Sequence, residues 1–157
     1  MKADLDQLAR SLVSAWGCWS QTLTADGRRL AYVSDRRGVT GLWVQDIEPS
    51  SGPGIARHIP LGPDPVITAH WSPDGRWLAC SVAAGGGVRT EVWVVRPDGS
   101  AATRVAGPHA VLGPWTRQGH RLVVTAYRDA TNRSLLIDAE TGVAEELRSP
   151  RTELRLA

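Results

Sequence analysis

The residues that could do chemistry in this chain are few and widely spaced. His58, His70, His109 and His120 are the imidazoles, Cys18 and Cys80 the thiols, and Glu145-Glu146 forms a carboxylate pair. A nucleophilic triad needs a strained strand-to-helix turn, or an equivalent scaffold, to hold the nucleophile against a histidine. The sequence offers only tight hairpins, so all four histidines read as structural. The two cysteines have no CxxC spacing and no histidine cluster nearby, which argues against a metal site. Cys80 lies in the apolar run WLACSVA and reads as a buried small hydrophobe. Gly85-Gly86-Gly87 would suit a phosphate only if it opened a helix whose N-terminal amides meet the anion. Val88-Arg-Thr-Glu-Val-Trp93 follows instead and reads as a strand, so these glycines serve a hairpin. No catalytic, cofactor-binding or metal-ligating residue is assigned, and no cofactor is expected.

Charge and composition narrow the partners. The 157 residues suit one domain, and 42% hydrophobic with 22% charged residues is ordinary for a globular fold. The net charge is +2, and the basic residues, all Arg except Lys2, are scattered rather than gathered on one run. The pairs Arg28-Arg29 and Arg36-Arg37 flank Tyr32 and read as solvated hairpin ends, so nucleic acid is not an expected partner. Residues 4–16 read as an amphipathic helix, with Leu5, Leu8, Leu12 and Trp16 on one face. Gly17 stands where a left-handed cap would end it. The polar face lacks the Lys and Arg density of a membrane-surface helix. Nor is there a continuous apolar stretch of signal-peptide or membrane-spanning type. The expectation is a cytoplasmic protein whose helix packs against a domain.

The elements that must position any site come from a repeat. LTADGRRLAYVSD (23–35), WSPDGRWLACSVA (71–83) and WTRQGHRLVVTAY (115–127) align with Gly at 27, 75 and 119 and Leu three residues beyond each. GLWVQD (41–46), EVWVVR (91–96) and SLLIDA (134–139) supply a second anchor, placing Trp43, Trp93 and Leu136 in register. In the second unit strands are expected at 67–71, 76–82, 90–96 and 103–106. Ser72-Pro73-Asp74-Gly75 and Pro97-Asp98-Gly99-Ser100 make the turns, proline pre-setting φ and glycine accepting positive φ. The first unit repeats this near 19–23, 29–34, 41–47 and 56–60, with 48–55 as a surface loop. The third places strands near 110–115, 120–126, 133–138 and 144–148.

Four antiparallel strands in some 45 residues is the unit of a β-propeller blade. The fold class is therefore all-β: a partial propeller of about three four-stranded blades, 18–62, 66–107 and 109–149, within 18–157, preceded by the helix of 1–17. Repeat-equivalent tryptophans read as packing between blades. Trp77 is the exception, since Arg29 and Arg121 hold its site; it is the one tryptophan considered for a ligand or partner surface, with packing the favoured reading for it too.

SPDGRWLACSV…EVWVVRPDGS and ADGRRLAYVSDRRG…GLWVQD resemble the WD-like repeat that builds the propellers of TolB-type proteins and of prolyl-oligopeptidase-family serine peptidases. With a helix ahead of it, the first unit looks most like the start of an acylaminoacyl-peptidase-type propeller. In that family the propeller caps a hydrolase domain and restricts access to short peptides. The nucleophile of that domain sits in a G-x-S-x-G elbow. No such motif occurs here, and Gly99-Ser100 belongs to a hairpin turn. The family's dipeptidyl-peptidase branch holds substrate with a glutamate pair on a propeller helix. Glu145-Glu146 falls on an expected outer strand, so that role is not carried over.

Three units do not close a ring, and the end faces would leave apolar surface uncovered. The implied partners are the remaining blades or a hydrolase domain. A second copy completing the ring, or a separate chain supplying blades, are the alternatives. The expected function is a non-catalytic propeller portion that gates substrate and packs against other domains. The alternative is a stand-alone interaction module.

Overall fold

Short runs of alternating or continuous apolar residues, each closed by a glycine turn, fold as a series of antiparallel meanders. The computed structural model describes residues 16–48, 52–117, 119–128 and 131–147. The helix expected over 4–16 lies outside the described residues except for Trp16, which has no regular structure. Gly17 is not in the left-handed region; its N–H donates to Asp35 Oδ1 at 2.8 Å.

The first sheet holds β1 (Cys18–Leu23), β2 (Arg29–Arg37), β3 (Val39–Glu48), β4 (Gly52–Pro53) and β5 (Arg57–Ile59). The second holds β6 (Val66–Trp71), β7 (Leu78–Ala84), β8 (Arg89–Val95) and β9 (Thr103–Ala106). The third holds β10 (Ala110–Trp115), β11 (Arg121–Arg128), β12 (Thr131–Asp138) and β13 (Ala144–Glu146). The second and third are up-and-down sheets in chain order, and in the first both β4 and β5 pair with β3; these are the three propeller blades. The segment expected as a plain surface loop differs in one detail: Gly52 and Pro53 fold back onto Glu48 and Ile47 before the outer strand β5 forms.

The turn after each first strand shows why the repeat has its residues. In blade 2, Ser72 Oγ donates to Asp74 Oδ1 at 2.6 Å and accepts from Trp77 N–H at 2.9 Å, while Asp74 Oδ1 also accepts from Arg76 N–H at 3.1 Å. Blade 1 reproduces these bonds with Thr24, Asp26, Arg28 and Arg29, at 2.6, 3.0 and 3.0 Å. Gly27, Gly75 and Gly119 have φ of 69°, 65° and 75°, a region that L side chains enter only with strain.

Register corrects one alignment. Tyr32 pairs with Trp43 and Cys80 with Trp93, and the matching residue of blade 3, Val124, pairs with Leu135. Leu135, not Leu136, stands in the tryptophan position. The anchor lies 16 residues after the turn glycine in blades 1 and 3 (27 to 43, 119 to 135) and 18 after it in blade 2 (75 to 93), so only blade 2 shifts it.

The core lies between sheets. Ala31, Val33, Leu42 and Val44 of blade 1 meet Ala69, Trp71, Leu78, Cys80 and Val82 of blade 2. Trp77, Ala79, Val92 and Val94 on the other face of blade 2 meet Ala110, Leu122, Val124 and Ile137 of blade 3. Blade 2 is thus sandwiched, and β7 is buried along nearly its whole length. Fully burying each Leu or Val contributes roughly 1.5–3 kcal/mol.

Candidate functional site

The first strands of the blades converge, held by side chains that reach across. Trp19 Nε1 donates to Ile67 O at 3.2 Å, and Ser20 Oγ accepts from Ala69 N–H at 3.0 Å. Trp71 Nε1 donates to Thr22 O, and Trp115 Nε1 to His70 O, each at 3.1 Å. An open cleft of about 450 Å³ lies along this edge, lined by Thr22, His70, Trp71, Leu112, Gly113 and Trp115. Gly113 is required there for space, because a Cβ would stand 2.7 Å from the Val123 carbonyl oxygen. The cleft offers indole faces, one exposed imidazole and backbone groups, a lining that can hold an extended peptide or pack against another surface.

The histidines are not brought together. His58 lies on β5, its ring centroid 5.2 Å from that of Trp43. Burial and the nearby Arg37 charge push its pKa below the usual imidazole value. Its Nε2 would stand 2.6 Å from a Cβ at Gly41, so that glycine makes room for the ring. His70 is exposed at the cleft. His109 follows the cis Gly107-Pro108 bond at φ 66°. His120 Nε2 lies 3.4 Å from both Asp138 Oδ2 and Glu140 Oε2. Among the described residues no cysteine or serine side chain hydrogen-bonds a histidine ring, and no group of His, Cys, Asp and Glu is gathered as a metal site.

The remaining candidates fall into structural positions. Gly85 and Gly86 turn the β7–β8 hairpin at φ 65° and 68°, with Gly85 N–H donating to Asp64 Oδ1 at 2.9 Å. Ser100 Oγ donates to Asp98 Oδ1 at 2.7 Å within its turn. Glu145 and Glu146 sit on the outer strand β13, paired with Arg121 at 3.3 Å and Arg133 at 3.2 Å. Cys80 is fully buried, and desolvation drives its thiol pKa far up, so it has no reactivity to offer.

Trp77 follows the packing reading. It is 2% exposed, packed in the seam between blades 2 and 3, with the Arg96 guanidinium 4.2 Å above its ring. It presents no surface to a ligand. Reading two of the arginines as solvated hairpin ends needs correcting. Arg29 Nη2 donates to Gly75 O at 2.7 Å and covers Trp71, and Arg36 lies 4.6 Å over Trp43 and 4.9 Å over Trp16.

What sequence reasoning missed is the charged latch across the second seam. Glu140 of blade 3 pairs with Arg96 at 3.3 Å and Arg76 at 3.7 Å of blade 2, beside His120. Glu140 lies in the turn after β12, where the repeats differ in sequence, so no alignment exposes it. Among the described residues no helix is long and apolar enough to cross a membrane.

No family model matches the chain, and no curated protein matches it. Solved structures do. The chain is similar to TolB from Acinetobacter baumannii, at 19% identity over 83% of this chain and 32% of that one, with a TM-score of 0.58. It is similar to the β-propeller domain of the Trilobed protease from Pyrococcus furiosus, at 17% identity over 87% and 44%, TM-score 0.60. It is also similar to the acylaminoacyl peptidase of Pyrococcus horikoshii, at 18% identity over 84% and 25%, TM-score 0.61. The likeness shows the fold: propeller blades of the kind found in TolB and in prolyl-oligopeptidase-family peptidases. The chain spans less than half the length of each.

Proposed function

We propose that the chain is a non-catalytic propeller portion of a prolyl-oligopeptidase-type serine peptidase, acting in substrate gating and domain packing. The observation that carries this reading is the serial stacking of three blades, in which the described residues leave the outward face of blade 3 uncovered. Val123 and Leu136 there are half-buried, whereas their equivalents Ala31, Val44, Ala79 and Val94 are fully buried in seams. The likeness to two peptidase propellers supports the parent class. In this reading the cleft along the first strands lies on the route by which short peptides pass to a hydrolase domain. A cytoplasmic location belongs to the same proposal.

The likeness to TolB favours a second reading, a propeller module that binds proteins without any hydrolase partner. Two measurements separate the readings. The purified chain is assayed against aminoacyl and peptidyl chromogenic esters with a serine-directed inhibitor as control; no inhibitor-sensitive turnover is expected, and turnover would sink the non-catalytic assignment. The reading frame around the chain is then sequenced in the genome. Further SPDG-like units followed by G-x-S-x-G support the peptidase, and their absence supports the module.

A further inference from the structure

The two seams repeat the same cross-blade contacts at equivalent positions. The residue closing the first strand of the later blade, Trp71 or Trp115, donates its indole N–H to the earlier blade. The acceptor is the carbonyl one residue before the equivalent position, Thr22 or His70, at 3.1 Å in both cases. A threonine three residues before the tryptophan-position residue of the earlier blade's third strand, Thr40 or Thr90, donates back. Its acceptor is the carbonyl opening the later blade's first strand, Val66 at 2.8 Å or Ala110 at 2.7 Å. Both acceptors lie five residues before the indole that crosses the same seam. In the first seam Arg29 adds a bond to the next turn, at Gly75 O, 2.7 Å away.

Blade 3 carries the earlier blade's side of this pattern, and no described residue lies in front of it. Pro114 holds the carbonyl position of Thr22 and His70, Asn132 the position of Thr40 and Thr90, and Arg121 that of Arg29. Between them Val123 and Leu136 form the apolar centre, where both other blades are buried. Blade 1 of a second copy does not complete this pattern. Leu23 stands where Trp71 and Trp115 stand, has no side-chain N–H to give and is itself 54% exposed. Blade 1's own outward face is already filled, with Tyr32 and Trp43 each 8% exposed and Arg36 and His58 against Trp43.

We propose that the outward face of blade 3 is the docking site for one further blade of the same repeat. That blade carries a tryptophan at the end of its first strand, just before its turn, and is not the first blade of a second copy. This rests on the reading of the chain as part of a larger propeller, and it adds the identity of the surface and the residue that recognises it.

The test appends a blade after the last residue of the full 157-residue chain. One fusion carries a second copy of residues 64–109, which brings Trp71, and the other a second copy of residues 18–62, which brings Leu23. The Trp-bearing fusion is expected to melt about 5 °C or more above the unmodified chain. The Leu-bearing fusion is expected to show no gain. Leu136→Arg in the Trp-bearing fusion, or Trp→Leu in its appended blade, should erase the rise. Equal gains from both fusions, or none from the Trp-bearing one, overturn the proposal. Sedimentation of the unmodified chain gives an independent reading that does not require a fusion to fold. A dimer that Leu136→Arg dissociates would make a second copy the occupant and overturn the proposal, whereas an unchanged association state supports it. Ester turnover by the same unmodified chain reports on the non-catalytic reading separately, so the two can fail independently.

Discussion

Blade 2 and blade 3 are built from the same repeat and live in different surroundings. Blade 2 is covered on both faces, and its second strand, β7, is buried at six of seven positions, LACSVA, without alternation. Blade 3 is covered on one face, and its second strand alternates: Leu122 and Val124 are fully buried, while Arg121 is exposed and Val123 and Thr125 half-buried. A strand sandwiched between sheets reads as a continuous apolar run, whereas a strand with one covered face reads as alternation. Local sequence thus reports how many neighbours a blade has. The half-buried Val123 and Leu136 interrupt that alternation with apolar residues on the outward face.

The sharpest way to break this contrast is by truncation. Leu78→Ala removes a fully buried side chain from the first seam and is expected to cost about 3–5 kcal/mol, enough to threaten folding. Val123→Ala on the open face is expected to cost under about 1 kcal/mol, since the cavity term is missing. Chemical denaturation of both variants checks this. Equal losses would mean that the face of blade 3 is covered in solution.

Trp77→Arg comes next, because it gives blade 2 the residue its two counterparts carry. In the first seam Arg29 fits by donating to the Gly75 carbonyl. At position 77 an arginine would enter a closed apolar seam under Arg96, meeting a like charge in place of an aromatic face. A loss of about 3 kcal/mol is expected, read from the shift in denaturation midpoint. A loss below about 1 kcal/mol would mean that position 77 reaches solvent and is not part of the seam.

The legible part of the molecule is what the repeat enforces. Glycines at 27, 75 and 119 carry positive φ because one turn is used three times, and their spacing announces the sheets. The illegible part lies where the repeats disagree. Leu135 takes the tryptophan position at the same distance from its turn glycine as Trp43, but the neighbouring Leu136 offers an equal apolar match and blade 2 sets a longer spacing, so the sequence leaves the anchor ambiguous by one residue. Trp77 looked like a surface candidate because its counterparts are arginines. Yet an aliphatic stem under a guanidinium and an indole under Arg96 both fill a seam. The Glu140 latch and the cleft along the first strands join residues about 45 positions apart, beyond the reach of any local pattern.

Replacing the turn glycines gives a smaller effect with a built-in comparison. Gly75→Ala places a methyl 3.1 Å from Arg29 Nη2 and 3.3 Å from Thr24 Cγ2, on top of the strain of φ 65°. Gly119→Ala has the backbone strain alone, with nothing within 4 Å. The expected losses are about 2 kcal/mol and about 1 kcal/mol respectively. Thermal melts of the two variants should differ in that order, and the reverse order would separate Gly75 from the first seam.

The smallest effect tests the turns by pH. At Asp26 the Thr24 hydroxyl and the Arg28 N–H hold the carboxyl below its ordinary value. At Asp74 partial burial opposes ionisation, but the bonds from Ser72 and Arg76 N–H outweigh it, and the result is again a lowered pKa. A carboxyl depressed in the folded state stabilises above its unfolded pKa, about 4, and that contribution is lost as pH falls through the folded value. The third turn has Gln118 at the matching place in the sequence and lacks this carboxylate. Asp74→Asn is therefore expected to cost under about 1 kcal/mol at neutral pH and nothing once the wild-type carboxyl is protonated. Amide exchange should show the turns at 24–29 and 72–77 loosening between neutral pH and pH 3 relative to the turn at 116–121. Uniform loosening of all three would place the acid sensitivity elsewhere, in Asp98 or Asp138, whose carboxyls are also held low by their own turns.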